Sequence, residues 1–235
     1  MAPGPPPGSI QVSCIYGGTP APSALGLTAA EVNALADLDI SGGGEDGTFG
    51  ASCTGLLVAD AWVLTAAHCT RDPASTRVTA RFGPPVSCQS SARRAIASAE
   101  IVTHPSLDVM LVRLAETPAQ LGMAATPVRP DTGEDLRPGD VVQLAGFGWT
   151  EDSSPGQLRF VAEAVSALEE TWIEVDGRGA SGACVADSGG PLLRRDDAGR
   201  LRTAGVLSAG STDCVGIDHY VRLRSVVAWL ASFGV

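Results

Sequence analysis

The sequence has no lysine, few histidines and no long hydrophobic run. All sixteen of its positive charges are arginine, and twenty-six acidic residues bring the formal net charge to -10 at pH 7. Because nucleic-acid phosphates require a basic face, this charge argues against a nucleic-acid partner. No run of eighteen apolar residues is present, so we expect no transmembrane segment. The six cysteines lack paired C-x-x-C spacing, so we predict no metal site, and nothing implies a cofactor.

Turn-forming residues are abundant. The 235 residues include 28 glycines and 16 prolines, which favours many turns between short strands. An apolar pattern at helical spacing appears only close to the C-terminus. A chain of this length can form one large all-β unit or two small domains. Its richness in alanine, glycine and proline, with arginine as the only strong cation, indicates a GC-rich, bacterial genome.

The stretch CVADSGGPLL, from Cys184 to Leu193, places a serine among an acid, two glycines and a proline. The same residues are typical of a surface turn without any chemistry. The alternative is a nucleophile, Ser188, on a constrained turn with backbone N–H groups aimed at a developing oxyanion. That alternative requires a base elsewhere in the chain.

Three histidines are available as the base. His68 follows WVLT, residues 62–65, which we predict to be a buried strand, and it is our candidate. We interpret His104 and His219 as structural or solvated. A neutral imidazole must be held in one tautomer by a buried acid. Asp108 precedes the apolar run 109–114, where an unpaired carboxylate would be costly, and it is our candidate acid.

The segments TAAHC, HPSLDVMLVRL and ADSGGP occur in that order, and with them the chain resembles the chymotrypsin/trypsin-like serine proteases. The segments IYGGTPA from Ile15, SAGS from Ser208 and VVAWL from Val226 extend the resemblance to the C-terminus. The resemblance implies acyl transfer: Ser188 attacks a peptide carbonyl, His68 moves the proton and Asp108 orients the imidazole.

The same resemblance implies an all-β fold of two six-stranded antiparallel β-barrels with a C-terminal helix. We expect the first barrel within residues 15–125, carrying His68 and Asp108. The second barrel, within residues 126–235, would carry Ser188, and the two would form one protease domain with the site in the cleft between them. Residues 1–14 have the composition of a flexible tether or propeptide rather than a signal peptide.

The backbone N–H groups of Ala186 and Ser188 would form the oxyanion hole. The family usually has glycine where this chain has Ala186, and a Cβ restricts the backbone. If a glycine-like φ is needed there, the hole would be distorted or would need substrate to form. We expect instead that alanine fits without strain.

The pocket for the side chain before the cut also departs from the family pattern. Family members that cut after Arg or Lys have an aspartate six residues before the serine, but 188 − 6 is Gly182. The substrate-binding segment would comprise Ser208, Ala209 and Gly210. We predict that Asp218 reaches a basic side chain from the facing wall, and that Gly182, Ala183 and Gly210 leave apolar room. This predicts a mixed preference for Arg/Lys and larger apolar residues, unless Asp218 points to solvent or fills the pocket.

Activation in the family frees an amino terminus, here Ile15, that pairs with the acid before the serine, here Asp187. The residue before Ile15 is Cys14, and the first Arg or Lys in the chain is Arg71, so a trypsin-type cut is not available. Three alternatives stay open: another activating protease, an uncut precursor, or a different partner for Asp187.

Six cysteines indicate an oxidising compartment but allow fifteen pairings. The family pattern implies the bridges Cys53–Cys69 and Cys184–Cys214, and we predict that the remaining Cys14 and Cys88 pair. We expect a secreted or surface-tethered monomer that acts on protein or peptide substrates. The alternatives are an uncut zymogen, a catalytically silent binding module of the same fold, and an esterase with the same triad.

Overall fold

The computed structural model describes residues 15–44, 47–83, 93–132, 135–149 and 157–235. The predicted tether at residues 1–14 lies outside the described residues, so the predicted domain boundaries stay a prediction.

The first half of the described chain forms a closed barrel in the order β1-β2-β3-β6-β5-β4, with antiparallel pairing throughout. Its strands are β1 (Leu35–Gly44), β2 (Gly47–Ala59), β3 (Trp62–Thr65), β4 (Thr76–Phe82), β5 (Arg94–Thr103) and β6 (Met110–Leu114). A short helix α1 (Ala29–Val32) precedes it, and 3₁₀ turns span Ala67–Cys69 and Pro118–Leu121.

The second half repeats the architecture, in the order β10-β11-β12-β9-β8-β7. The strands are β7 (Val141–Gly146), β8 (Arg159–Leu168), β9 (Trp172–Asp176), β10 (Pro191–Arg195), β11 (Leu201–Ala209) and β12 (Ile217–Arg222). A 3₁₀ turn (Leu223–Val226) leads into the terminal helix α2 (Val227–Ala231). The expected fold of two six-stranded antiparallel barrels with a C-terminal helix is therefore confirmed.

Two buried clusters hold the molecule together. One fills the first barrel and continues through Phe147, Phe160 and Leu193 to the C-terminal helix. The other fills the second barrel and includes Ile15 and Tyr220. Because apolar side chains from both halves share the first cluster, the barrels pack directly against each other, which positions the loops that carry the site.

Candidate active site

His68 lies on the 3₁₀ turn that follows β3, at the edge of the first barrel. Its Nδ1 is 2.6 Å from Oδ2 of Asp108, and its backbone N–H donates to Oδ1 of the same carboxylate at 2.8 Å. The adjacent Cys69 is bonded to Cys53 on β2, which ties this turn to the barrel. Because the carboxylate accepts, this contact favours the tautomer with the proton on Nδ1 and leaves Nε2 as the base.

Asp108 is the centre of the polar contacts in this region. In addition to the two donors of His68, it accepts the hydroxyl of Ser208 at 2.6 Å on Oδ2. Burial raises the pKa of Asp108, but hydrogen bonds from His68 and Ser208 outweigh it and hold the pKa below its usual value. The carboxylate therefore stays ionised beside the imidazole. Ser208 belongs to the predicted substrate-binding segment. The sequence does not predict its contact with Asp108, because 100 residues separate the two.

Ser188 is held at the junction between the barrels. Its carbonyl accepts the backbone N–H of Thr54 at 2.8 Å and lies 4.0 Å from Sγ of Cys69, next to His68. The next residue, Gly189, has φ +81°, and a Cβ there would overlap Oγ1 of Thr65. The glycine after Ser188 therefore allows the close approach of the second barrel to the first. Among the described side chains, no hydrogen bond joins Ser188 to His68, and catalytic hydrogen bonds often tighten only when substrate binds.

Ala186 has φ +74°, in the left-handed region that favours glycine. The expectation that alanine fits without strain is therefore wrong, because a Cβ in this region costs roughly 1–2 kcal/mol. The conformation is held by a hydrogen bond from Oγ1 of Thr54 to the Ala186 carbonyl at 3.2 Å. Within the described part of the chain, the N–H groups of Ala186 and Ser188 have no acceptor, which leaves both amides available to a bound oxyanion.

Asp187 is buried, and backbone amides are its partners. Oδ1 accepts the N–H of Gly148 at 2.7 Å, and Oδ2 accepts that of Cys184 at 2.9 Å. Burial raises the pKa of Asp187 to about 7 despite these bonds. Ile15 is also buried, and its neighbour Tyr16 bridges to Gly182, near the serine loop. The carboxylate that the family pattern pairs with a free terminus at Ile15 thus has backbone amides as its partners.

Asp218 lies between the two segments that form the predicted pocket. Its Oδ2 accepts the N–H of Ala183 at 2.7 Å, and a Cβ on Gly210 would approach its Oδ1 to 2.5 Å. The side chain is fully buried, so the alternative that it points to solvent is wrong. Burial raises its pKa to about 6, although backbone N–H groups of Ala183 and Ser211 interact with the carboxylate and lower the pKa.

The structure contains the disulfides Cys53–Cys69 and Cys184–Cys214, and the second joins the two segments around Asp218. The predicted pair Cys14–Cys88 lies outside the described residues. No cluster of three or more His, Cys, Asp or Glu side chains suited to a metal occurs in the described ranges. None of the helices described is long and apolar enough to cross a membrane.

The two other histidines have structural contacts. His104 packs edge-to-face on Trp229 of the C-terminal helix, with ring centroids 5.2 Å apart, and its Nδ1 accepts the N–H of Leu107. His219 lies 3.5 Å from Glu174 on the neighbouring strand. Neither contacts Asp108, so His68 is the imidazole that the fold places at the junction of the barrels.

Comparisons with known proteins agree with the fold. A family model described as Trypsin matches residues 28–230. Granzyme C of Mus musculus is 30% identical over 196 residues, which cover 76% of this chain and 77% of that protein. The solved structure of HL collagenase has a TM-score of 0.71 at 22% identity, covering 89% of this chain and 96% of that one. A solved structure named GrC has a TM-score of 0.69 at 24% identity, covering 88% and 96%. These two structural likenesses support the fold alone.

Proposed function

This chain belongs to the trypsin family of serine proteases and is a serine endopeptidase, and from that premise we propose that His68, Asp108 and Ser188 form its catalytic triad. The observation that carries the proposal is the carboxylate of Asp108, which contacts both Nδ1 and the backbone N–H of His68 and accepts Ser208. A partly buried acid with these donors holds the imidazole in the orientation that general-base catalysis needs.

The reaction has two stages, acylation of the serine and hydrolysis of the acyl-serine. Nε2 of His68 takes the hydroxyl proton of Ser188 as Oγ adds to the peptide carbonyl, and it returns that proton to the leaving amine. Water then adds to the acyl-serine with the same base, and Ser188 regains its proton as the acid product leaves. The amides of Ala186 and Ser188 bind the oxyanion, and losing one such donor costs about a hundredfold to a thousandfold in turnover.

A fluorophosphonate probe tests the nucleophile. We expect labelling at Ser188, located by mass spectrometry, and none in Ser188→Ala, because only an activated serine reacts with this probe.

Labelling before and after the chain is cut at Ile15 tests activation, since a free terminus beside Asp187 would shape the oxyanion hole. A labelled uncut chain would show that no cut is needed. A chain that stays unlabelled in both forms would contradict the triad and return the binding-module alternative, which the comparisons do not favour. Parallel peptide and ester kinetics separate the esterase alternative.

The proposed specificity is mixed, with Arg/Lys and larger apolar residues accepted before the cut. Support comes from the buried carboxylate of Asp218 beside the small residues Gly182, Ala183 and Gly210. We expect Asp218→Asn to lower kcat/KM for an arginine peptide by about tenfold or more, because an ionic partner is lost. Turnover of the matched leucine peptide should change little. Equal loss with both peptides, or with neither, would remove the basis of this proposal.

The chain acts on protein substrates. We also propose that it is secreted and that it is a monomer. Two disulfides support an oxidising, extracytoplasmic location, as is typical of trypsin-like proteases. Because no Arg or Lys precedes Arg71, a cut at Ile15 would need a protease that does not require these residues. Such an activating protease also stays a proposal. The bacterial origin expected from composition finds no support in granzyme C, which is a mouse protein.

A further inference from the structure

Glu163 is a buried acid behind the pocket that the proposed mechanism leaves without a role. It lies on β8 with 5% of its surface exposed, and Oε1 accepts the hydroxyl of Ser181 at 2.9 Å. Its other oxygen, Oε2, is buried with no hydrogen-bond partner in the part of the chain that the structure describes. A buried, unpartnered carboxylate oxygen is costly, so it calls for a functional explanation.

Glu163 and Asp218 accept hydrogen bonds from the same short segment of the predicted pocket. Ser181, the partner of Glu163, and Ala183, the partner of Asp218, are separated only by Gly182. Asp218 is also buried; its Oδ1 faces Gly210, and its carboxylate interacts with the backbone N–H groups of Ala183 and Ser211. The second barrel thus places two buried carboxyls, of which Glu163 has an oxygen unpartnered among the described residues, at one end of its interior, where the side chain before the cut is proposed to enter.

We infer that Glu163 is a second acidic determinant of specificity, a positioning residue that acts on Asp218 and on the wall 181–183 to favour a guanidinium in the pocket. This inference rests on the proposed pocket and deepens it. An ionised Glu163 adds negative electrostatic potential behind Asp218. A desolvated site screens this potential less than water would. A neutral Glu163 leaves Asp218 alone to offset the cost of dehydrating the guanidinium, and apolar side chains then compete better.

The inference predicts a pH-dependent choice of substrate. Burial raises the pKa of Glu163 to about 7, and Asp218 and Asp176 raise it further. Other charged groups near the pair are Asp187 and His219, with Tyr220 beside them. As pH rises through 7, Glu163 ionises and preference for arginine should increase, on top of an earlier step from Asp218, whose pKa is about 6.

The test is the ratio of kcat/KM for two peptides that differ only in arginine or leucine before the cut, measured from about pH 5 to pH 9 on the active chain. The ratio cancels every titration that both substrates share, including that of Asp187. We expect the wild-type ratio to rise in two steps. In Glu163→Gln, which keeps an oxygen acceptor for Ser181, the upper step should disappear and the ratio above pH 8 should fall by about tenfold.

Two further variants keep the test decisive. Ser181→Ala removes a hydrogen bond that stabilises the Glu163 anion, so the upper step should move to higher pH even if the first variant folds poorly. Glu100→Gln removes an exposed carboxylate from the first barrel and should leave the profile unchanged. Profiles of Glu163→Gln and Ser181→Ala that superimpose on wild type would overturn the inference. A wild-type ratio that is flat, and that Asp218→Asn does not alter, would overturn the proposed pocket and this inference with it.

Discussion

Ala186 holds a strained backbone conformation beside the residue proposed as nucleophile. Its φ of +74° costs an alanine roughly 1–2 kcal/mol relative to an unstrained conformation. The surrounding structure keeps it there: Oγ1 of Thr54 bonds its carbonyl, and the amide of Thr54 bonds the carbonyl of Ser188. Both anchors come from the first barrel, so packing between the barrels maintains the orientation of the two proposed oxyanion-hole amides.

Glycine at this position should relieve the strain. We expect Ala186→Gly to raise the free energy of unfolding by about 0.5–1 kcal/mol, because the relief exceeds the entropic cost of glycine, itself about 0.5–1 kcal/mol. Denaturant unfolding measures this, and the rate of probe labelling at Ser188 should not fall. Ala204→Gly on β11, where φ is ordinary, is the control and should lose stability. Equal losses in the two variants would show that Ala186 is not strained.

At the residue scale, the sequence predicts most where the signal is local, although the catalytic roles of His68 and Ser188 stay a prediction. The motifs around His68 and Ser188 predict short turns, because their small residues and apolar flanking residues are visible in the sequence. The partners of Asp108 and Asp218 could not be read in this way, because Ser208 and Ala183 reach them through the tertiary fold. The burial of Glu163 was also missed, since an acid in an otherwise apolar strand is normally assigned to solvent.

At the scale of elements, α2 depends on tertiary packing. Its five residues are far too few for a helix to be stable alone, and its N-terminus has no side-chain cap. Leu230 is fully buried, and Trp229 and Phe233 form edge-to-face contacts that reach Trp62 of β3. The sequence predicted this helix from its apolar spacing, whereas its packing against the strand before His68 required the fold.

Removing the buried side chain of α2 should therefore destabilise the first barrel. We expect Leu230→Ala to lower the free energy of unfolding by about 2–4 kcal/mol, because it leaves a cavity in a close-packed core. Val227→Ala on the same helix, at a residue 37% exposed, should cost less than about 0.5 kcal/mol. Urea unfolding of both variants measures the difference. Similar small effects in the two would mean that α2 is not docked as described.

At the scale of the whole molecule, three buried carboxyls with raised pKa values concentrate in the second barrel and its loops, Glu163, Asp187 and Asp218, whereas the buried Asp131 is paired with Arg194. Burial raises their pKa values to about 7, about 7 and about 6, respectively. The chain already carries a formal net charge of -10, so each of these ionisations adds charge to an acidic protein. These raised pKa values, two of them at the proposed pocket, lower stability at neutral pH, a common arrangement at functional sites.

This distribution of charge predicts a protein that is less stable at neutral than at mildly acidic pH. Between the unfolded and folded pKa values, the native state holds protons that the unfolded chain releases, so stability falls as pH rises through that window. We expect the free energy of unfolding to fall by on the order of 3 kcal/mol between about pH 5.5 and pH 8. His104, whose pKa burial lowers, opposes this trend. Asp108 stays ionised across the window because its pKa is lowered.

Urea unfolding at the two pH values measures the fall. Glu163→Gln should reduce it, because the glutamine cannot ionise, and Glu100→Gln should leave it unchanged, because that carboxylate is exposed and paired with Arg113. Stability that rises from pH 5.5 to pH 8 in wild type would contradict the prediction, since it would require these carboxyls to be ionised and compensated in the native state. That result would imply a cation or a further hydrogen-bond donor beside these carboxyls, in addition to the contacts described above.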